Sequence, residues 1–370
     1  MSEQIRVTML TGAGLCKDAG LPTSVELANN LQEALVSSAS SDSCTKEDRE
    51  RARLHLATYR FLNGGIRFQL GILDRDPNQP INIEQIAVAA EELQNRSLNP
   101  LTPYASGWHD RLVEIERQAP DILMTFTSFI YSQLETWLSL DDERIAKLHY
   151  LRNLAEICND KYGIDIFSLN YDLCIETALQ RYAKRDFTNG FTEQGWDPET
   201  FDNNATIRLY KLHGSLDWVE DQAYGLCSLQ FPRNEFAENI EGEGAKPLLI
   251  FGTAHKLTPR EPFLSLAYAF SQSVLKTTVL AIIGFSFGDE YVNQIIRQGI
   301  EKNPKLRVLV VAPHANSQIQ QISFLQGRKP RVEALEATAS QALTDGSFLT
   351  RIRDLLERAS NDEPFTDKTS

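Results

Sequence analysis

Paired cysteines are missing from this chain of 370 residues. Its five cysteines, Cys16, Cys44, Cys158, Cys174 and Cys227, contain no C-x-x-C pair and are odd in number. That pattern excludes a disulfide framework and a four-cysteine zinc ribbon, so no metal and no zinc are expected. Basic charge is scarce too: 37 Lys and Arg stand against 50 Asp and Glu, a net charge of -13. A chain this acidic is poorly suited to gripping nucleic-acid phosphates, so direct nucleic-acid binding is not expected. Long hydrophobic runs are absent. The longest, Val279–Phe285, falls far short of the roughly 20 residues that cross a bilayer. The opening MSEQIRVTML lacks the basic and apolar regions of a signal peptide. The expectation is a cytoplasmic protein without membrane contact.

What is present is ample core material, with 42% hydrophobic residues. Six short runs, rich in β-branched residues and bounded by turn signals, read as buried strands: Ile5–Leu10, Ile164–Leu169, Ile207–Leu212, Leu248–Phe251, Val279–Phe285 and Arg307–Ala312. Near-continuous apolar runs of this kind suit a parallel sheet covered on both faces. Helical patterns follow two of them, over 171–185 and 289–300, and another spans Arg144–Tyr162. This alternation predicts an α/β, doubly wound, Rossmann-like parallel sheet. From about Ser37 to Asp142 the pattern changes. A polar linker, SSASSDSCTKEDRERAR, leads into a charged helix, and Ile83–Asn95, Trp108–Gln118 and Ile122–Leu138 read as helices with no clear strand. The expected organisation is therefore a Rossmann-like domain over 1–36 and 144–330, an inserted helical module over 37–143, and a C-terminal helix with a disordered tail over 331–370. Two polar stretches, Arg185–Ala205 and Glu235–Lys246, read as surface loops.

Four motifs carry chemistry, each at the end of an expected strand. The first is Leu10-Thr11-Gly12-Ala13-Gly14-Leu15-Cys16, where Gly12 and Gly14 permit a tight turn and close approach of a diphosphate. Its spacing departs from G-x-G-x-x-G, and a plain glycine turn fits it equally well. The second is Ser168-Leu169-Asn170-Tyr171-Asp172. Asn170 offers a donor and an acceptor without charge; Asp172 stands where a helix cap also belongs. The third is Lys211-Leu212-His213-Gly214-Ser215. Imidazoles as a class exchange protons near neutral pH, although an ordinary hydrogen-bonded histidine fits the position as well. His255 is a weaker competitor. The fourth is Ile283-Gly284-Phe285-Ser286-Phe287-Gly288-Asp289-Glu290. There Gly284 and Ser286 could approach a ribose or adenine, and Asp289 reads as a helix cap.

Taken in this order, GAGLCKDAGLP, SLNYD, KLHGS and IIGFSFGDE resemble the motif set of sirtuin-like proteins, especially the divergent bacterial branch found in anti-phage defence. The resemblance covers roughly residues 5–36 and 163–315. It implies NAD bound against a Rossmann-like sheet, with Gly12, Ala13 and Gly14 in the NAD-binding turn. It further implies Asn170 and Asp172 as the family's Asn-x-Asp pair, His213 as its catalytic histidine, and Gly284 and Ser286 on the ribose and adenine side. Two departures stand out. Protein-deacylating sirtuins continue the first motif as Gly-Ile-Pro-Asp-Phe-Arg, whereas Thr23, Ser24 and Val25 follow Pro22 here. Those enzymes also carry a four-cysteine zinc module, for which this chain has no cysteine pairs. Both departures are usual in the defence branch, and they turn the expectation toward NAD hydrolysis to nicotinamide and ADP-ribose. Asn170 and His213 would be catalytic, and Asp172 would hold the carboxamide. A protein deacylase is the alternative within the same chemistry. A non-catalytic module binding NAD or ADP-ribose is the alternative from another class. The resemblance also implies a homo-oligomer held off by a partner, with a HerA-type ATPase as the expected one.

Overall fold

The computed structural model describes residues 5–41, 45–94, 109–202, 205–221, 225–229, 247–249, 261–328 and 331–361. The loop expected at Glu235–Lys246, His255, the C-terminal tail after Asp362 and the second half of the expected strand Leu248–Phe251 lie outside these residues.

The chain divides into two compact units, Met1–Leu21 with Leu140–Ser370, and Pro22–Ser139. The first is built on one six-stranded parallel sheet. Its strands are β1 (Ile5–Thr11), β2 (Tyr162–Ser168), β5 (Ile207–Lys211), β8 (Val279–Ile283), β9 (Arg307–Ala312) and β10 (Val332–Glu336). Across the sheet they run β5-β2-β1-β8-β9-β10. Ranked by position in the chain, that is the doubly wound order 3-2-1-4-5-6. Two small antiparallel hairpins complete the strands: β3 (Phe191–Thr192) with β4 (Gly195–Trp196), and β6 (Trp218–Asp221) with β7 (Gly225–Ser228).

β8 and β9 are buried along their whole length, and β1 and β2 everywhere but their first residues. Residues facing one side, Leu10, Phe167, Leu280, Ile282, Val308 and Val310, share a core with Phe270 and Ile296. Stacked rings extend that core from Phe167 to Tyr210, at 4.4 Å between centroids, and on to Phe201, at 4.1 Å. Burying each such ring stabilises the fold by about 1.5–3 kcal/mol.

β10 was not among the expected strands. It carries two glutamates, is only partly buried and pairs with β9 alone. An edge strand of this kind lacks the apolar run that identifies a central one. The segment Leu248–Phe251 does not join this sheet through its described residues. Leu249 there makes one antiparallel bridge, to Gly214. The helix expected over Arg144–Tyr162 is also different. It is a short α6 (Asp142–Lys147), capped by Asp141, followed by a tighter 3-10 segment, Leu148–Ile157. The Asn159 side chain then accepts from the amides of Lys161 and Tyr162 and turns the chain into β2.

The second unit is helical among its described residues: α1 (Ser24–Ser40), α2 (Lys46–Ile72), α3 (Ile83–Gln94), α4 (His109–Gln118) and α5 (Ile122–Leu138). Thr23 and Glu26 form a reciprocal capping box that starts α1. The serines read as linker at 37–40 extend that helix. Ser40 Oγ bonds back to the Val36 carbonyl at 2.7 Å, so the polar side chains satisfy the last turn. Among the described residues, no helix is long and apolar enough to cross a membrane.

The remaining helices belong to the first unit: α7 (Cys174–Ala178), α8 (Phe263–Lys276), α9 (Glu290–Lys302), α10 (Ala315–Gln321), α11 (Ala339–Thr344) and α12 (Ser347–Asn361).

Candidate active site

The sheet register brings the four motifs to one edge. Val311, Ile283, Thr11, Ser168 and Lys211 stand in a single row across β9, β8, β1, β2 and β5. Every motif leaves the sheet just past this row, at the carboxyl ends of the strands. Ligands of open α/β sheets bind at that edge, where the strand order reverses beside β1.

The first and fourth motifs form one structural feature. The Gly12 amide donates to the Ile283 carbonyl at 3.0 Å, and the Gly14 amide to the Gly284 carbonyl at 3.0 Å. A Cβ on Gly12 would lie 2.7 Å from the Gly284 oxygen, and one on Gly14 would lie 2.7 Å from the Gly284 Cα. Gly284 has a φ of +64 and faces Leu15 and Gly14 equally closely. These glycines are therefore required by backbone packed on backbone. The sequence reading had offered only a ligand or a plain turn as their reason. Ser286 is exposed between buried Phe285 and Phe287.

Asn170 and Asp172 are both buried and meet at Cys16. The Asn170 side-chain amide lies 3.7 Å from Cys16 Sγ, and the Cys16 thiol donates to Asp172 Oδ1 at 3.5 Å. Asp172 Oδ1 also accepts the Cys174 amide at 3.0 Å, so it ties down the start of α7. The N-cap position itself falls to Leu173, one residue later than the capping reading supposed. The Cys16 and Cys174 thiols lie close together, within 4.8 Å. The Cys174 thiol beside it favours the Cys16 thiolate, but burial and Asp172 outweigh it and push the Cys16 thiol up to about 11. Burial, Cys16 and Asp172 raise the Cys174 thiol well above its ordinary value. The three groups put their donor atoms within 4.8 Å of one another.

His213 sits past the end of β5 and is buried. Its Nε2 lies 3.1 Å from Asp289 Oδ2. Asp289 caps α9 through its other oxygen, which accepts from Tyr291 and Val292. The expected cap is present, and the same carboxylate orients the histidine. An ionised carboxylate only accepts, so in the tautomer with its proton on Nε2 the ring donates to Asp289 and Nδ1 is the acceptor nitrogen. The ring of Tyr171, between Asn170 and Asp172, lies 6.3 Å from that of His213. Gly214 follows with a φ of +87, and Leu248 packs directly on it.

One buried cluster escaped the sequence reading. Lys211 Nζ is 3.2 Å from Glu176 Oε1, with both side chains almost fully buried. Lys211 also donates to the backbone carbonyl of Asp172. Burial works to lower the lysine's affinity for its proton, but Glu176, Asp172 and Asp217 outweigh it and raise its pKa. Burial pushes Glu176 up to about 7 despite Lys211. A lysine closing an apolar strand covered on both faces was the available signal. In the sequence Lys211 is only the first residue of the histidine motif, with no role of its own.

Residues 165–332 match the model of the SIR2-like domain family. A comparison with the curated proteins gave no significant match. Among solved structures, a Sir2 homologue in complex with NAD aligns at 12% identity over 96% of this chain and 91% of that one, with a TM-score of 0.40. A mutant Sir2 homologue bound to 2′-O-acetyl ADP-ribose aligns at 13% identity over 95% of this chain and 94% of that one, with a TM-score of 0.41. Likenesses this distant leave the site to rest on its own geometry.

Proposed function

From the premise that this chain carries a SIR2-like domain and so belongs to the sirtuin-like family, we propose that it binds NAD at the carboxyl edge of the sheet and hydrolyses it to nicotinamide and ADP-ribose. The observation that carries this reading is the contact between His213 and Asp289. In the sheet order, β5 and β8 flank β2 and β1. The contact therefore bridges the ends of the two strands that present Asn170 and the glycine turn.

In this reaction the bond between the nicotinamide nitrogen and the ribose C1′ breaks, and a water oxygen bonds to C1′. The electron pair of the broken bond returns to nicotinamide, which leaves neutral, so no strong general acid is needed. The transition state resembles an oxocarbenium ion, as in glycoside hydrolysis. Asn170 holds the ribose and the attacking water. His213, oriented by Asp289, takes the water's proton at Nδ1. Asp172 holds the carboxamide of nicotinamide. Gly12, Ala13 and Gly14 carry the diphosphate turn, with Gly284 and Ser286 on the ribose and adenine side. Water takes the place of acyl-lysine as acceptor because the Asp-Phe-Arg continuation and the cysteine pairs of deacylating sirtuins are missing from the sequence.

Asn170, Asp172 and His213 are all buried, so NAD must displace part of their cover. Burial of this kind suits an enzyme held in an off state, since uncontrolled NAD hydrolysis would poison its own cytoplasm. We place the release of that state with self-association and a HerA-type ATPase partner, as expected of an anti-phage effector. This regulation rests on the resemblance alone.

The test is release of free nicotinamide from NAD by the purified chain, alone and with that ATPase. His213→Ala is expected to lower turnover by about 10²–10⁴-fold, and Asn170→Ala to abolish it at unchanged fold. Full turnover in both variants refutes the site. Tight NAD binding without turnover under every condition turns the reading to a non-catalytic module.

A further inference from the structure

The buried donors of Cys16, Asp172 and Cys174 form a cluster whose chemistry extends beyond a nicotinamide pocket. We infer that Cys16 Sγ, Cys174 Sγ and a carboxylate oxygen of Asp172 form a binding site for one thiophilic divalent cation of the Zn²⁺ class, at the carboxyl ends of β1 and β2.

The first argument is distance. Tetrahedral zinc bonds sulfur at about 2.3 Å and carboxylate oxygen at about 2.0 Å, which places neighbouring S and O donors about 3.5 Å apart and two S donors about 3.8 Å apart. Cys16 Sγ and Asp172 Oδ1 are already 3.5 Å apart. All three donors lie within 4.8 Å of one another, so the site closes with movements below an ångström or so. The second argument is donor type. Two thiolates and one carboxylate suit zinc over magnesium or calcium, which prefer all-oxygen shells. The third is support. Asp172 is anchored through the Cys174 amide, and its backbone carbonyl is held by Lys211. Glu176 balances the charge of that lysine, which would otherwise repel a cation. Binding releases the two thiol protons, leaves both sulfurs as thiolates and keeps the fourth position for water.

This site differs from a four-cysteine ribbon in its donors, two thiols and one carboxylate, which come from the turn after β1 and the start of α7. It shares Asp172 with the NAD reading, but its test uses no NAD, so the two readings fail separately. The full chain is purified under reducing conditions, stripped with a chelator, and titrated with Zn²⁺ and separately with Co²⁺. One equivalent of zinc per chain is expected. Tetrahedral cobalt bound to two thiolates is expected to give a sulfur-to-metal charge-transfer band in the near ultraviolet. Cys16→Ser and Cys174→Ser should each weaken zinc binding at least about tenfold, the order of one lost supporting contact at a metal site. Cys158→Ser with Cys227→Ser should leave the band intact. The cobalt band is read on the unaltered chain, so the test survives a variant that fails to fold. Absence of that band, less than one equivalent of zinc, or a band that disappears with Cys158 and Cys227 overturns the inference.

Discussion

Removing the charge of Lys211 tests whether the buried pair beneath the site holds the motif loops in place. Lys211→Met keeps the length and apolar stem of the side chain but removes its ammonium. Two groups then lose their partner: the Glu176 carboxylate at 3.2 Å and the Asp172 carbonyl. Breaking a buried ion pair from one side costs about 3–5 kcal/mol. Glu176 can escape part of that penalty by taking a proton, since burial already places its pKa at about 7. The carbonyl has no such escape, and a lost charged hydrogen bond is worth about 1.5–3 kcal/mol. At neutral pH the sum falls near the low end, about 3–4 kcal/mol. For a unit of this size, that lowers the thermal midpoint by roughly 10 °C. The assay is thermal unfolding followed by far-ultraviolet circular dichroism at pH 5 and pH 8. The loss should be larger at pH 8, where Glu176 is ionised. Lys211→Met with Glu176→Leu should recover part of it, because an apolar pair needs no compensation. A single variant within 1 kcal/mol of the parent, or a double variant no better than the single, refutes the reasoning.

Four further outcomes follow from the same structure. Glu176 has its folded pKa raised, chiefly by burial. Its contribution is present below about 4.5 and disappears as pH rises through about 7, a loss of about 3 kcal/mol that Glu176→Gln should flatten in pH-dependent urea unfolding. His55 in the helical unit has the opposite sign. Burial, then Arg51, lowers its pKa to about 4 against the pull of Asp121. Hydrogen-exchange protection in α2 and α5 should therefore be full above pH 6.5 and weaken as pH falls toward 4. Gly284→Ala places a methyl 2.3 Å from the Leu15 nitrogen at a φ of +64. It should destabilise the sheet unit by about 2–4 kcal/mol in urea unfolding, strain and overpacking combined. Gly65→Ala, with open space around the new methyl inside α2, should instead stabilise by about 0.5–1 kcal/mol in the same measurement.

Much of the fold could be read along the chain because its signals are local. β8 is a continuous apolar run and β1, β2 and β9 are nearly so, as strands covered on both faces tend to be, and α3 and α5 announce themselves by helical spacing. β10 did not, because an edge strand with two glutamates has no such run. The 3-10 segment after α6 was hidden for a related reason: apolar spacing marks a buried face without fixing how tightly the backbone winds.

The cysteines show where sequence stops. By itself the sequence determined that no two of them stand at ribbon spacing, and that every chemical motif falls at a strand end. Only the tertiary structure decided which of those residues meet. The parallel register levels the ends of β1 and β2, so Cys16 reaches Asp172 from 156 positions away. The same levelling sets His213 against Asp289, 76 positions apart, and seats Gly12 and Gly14 on Gly284. Strand identity is written in neighbouring residues; contact across a sheet follows from a register that brings residues far apart in the chain level with one another.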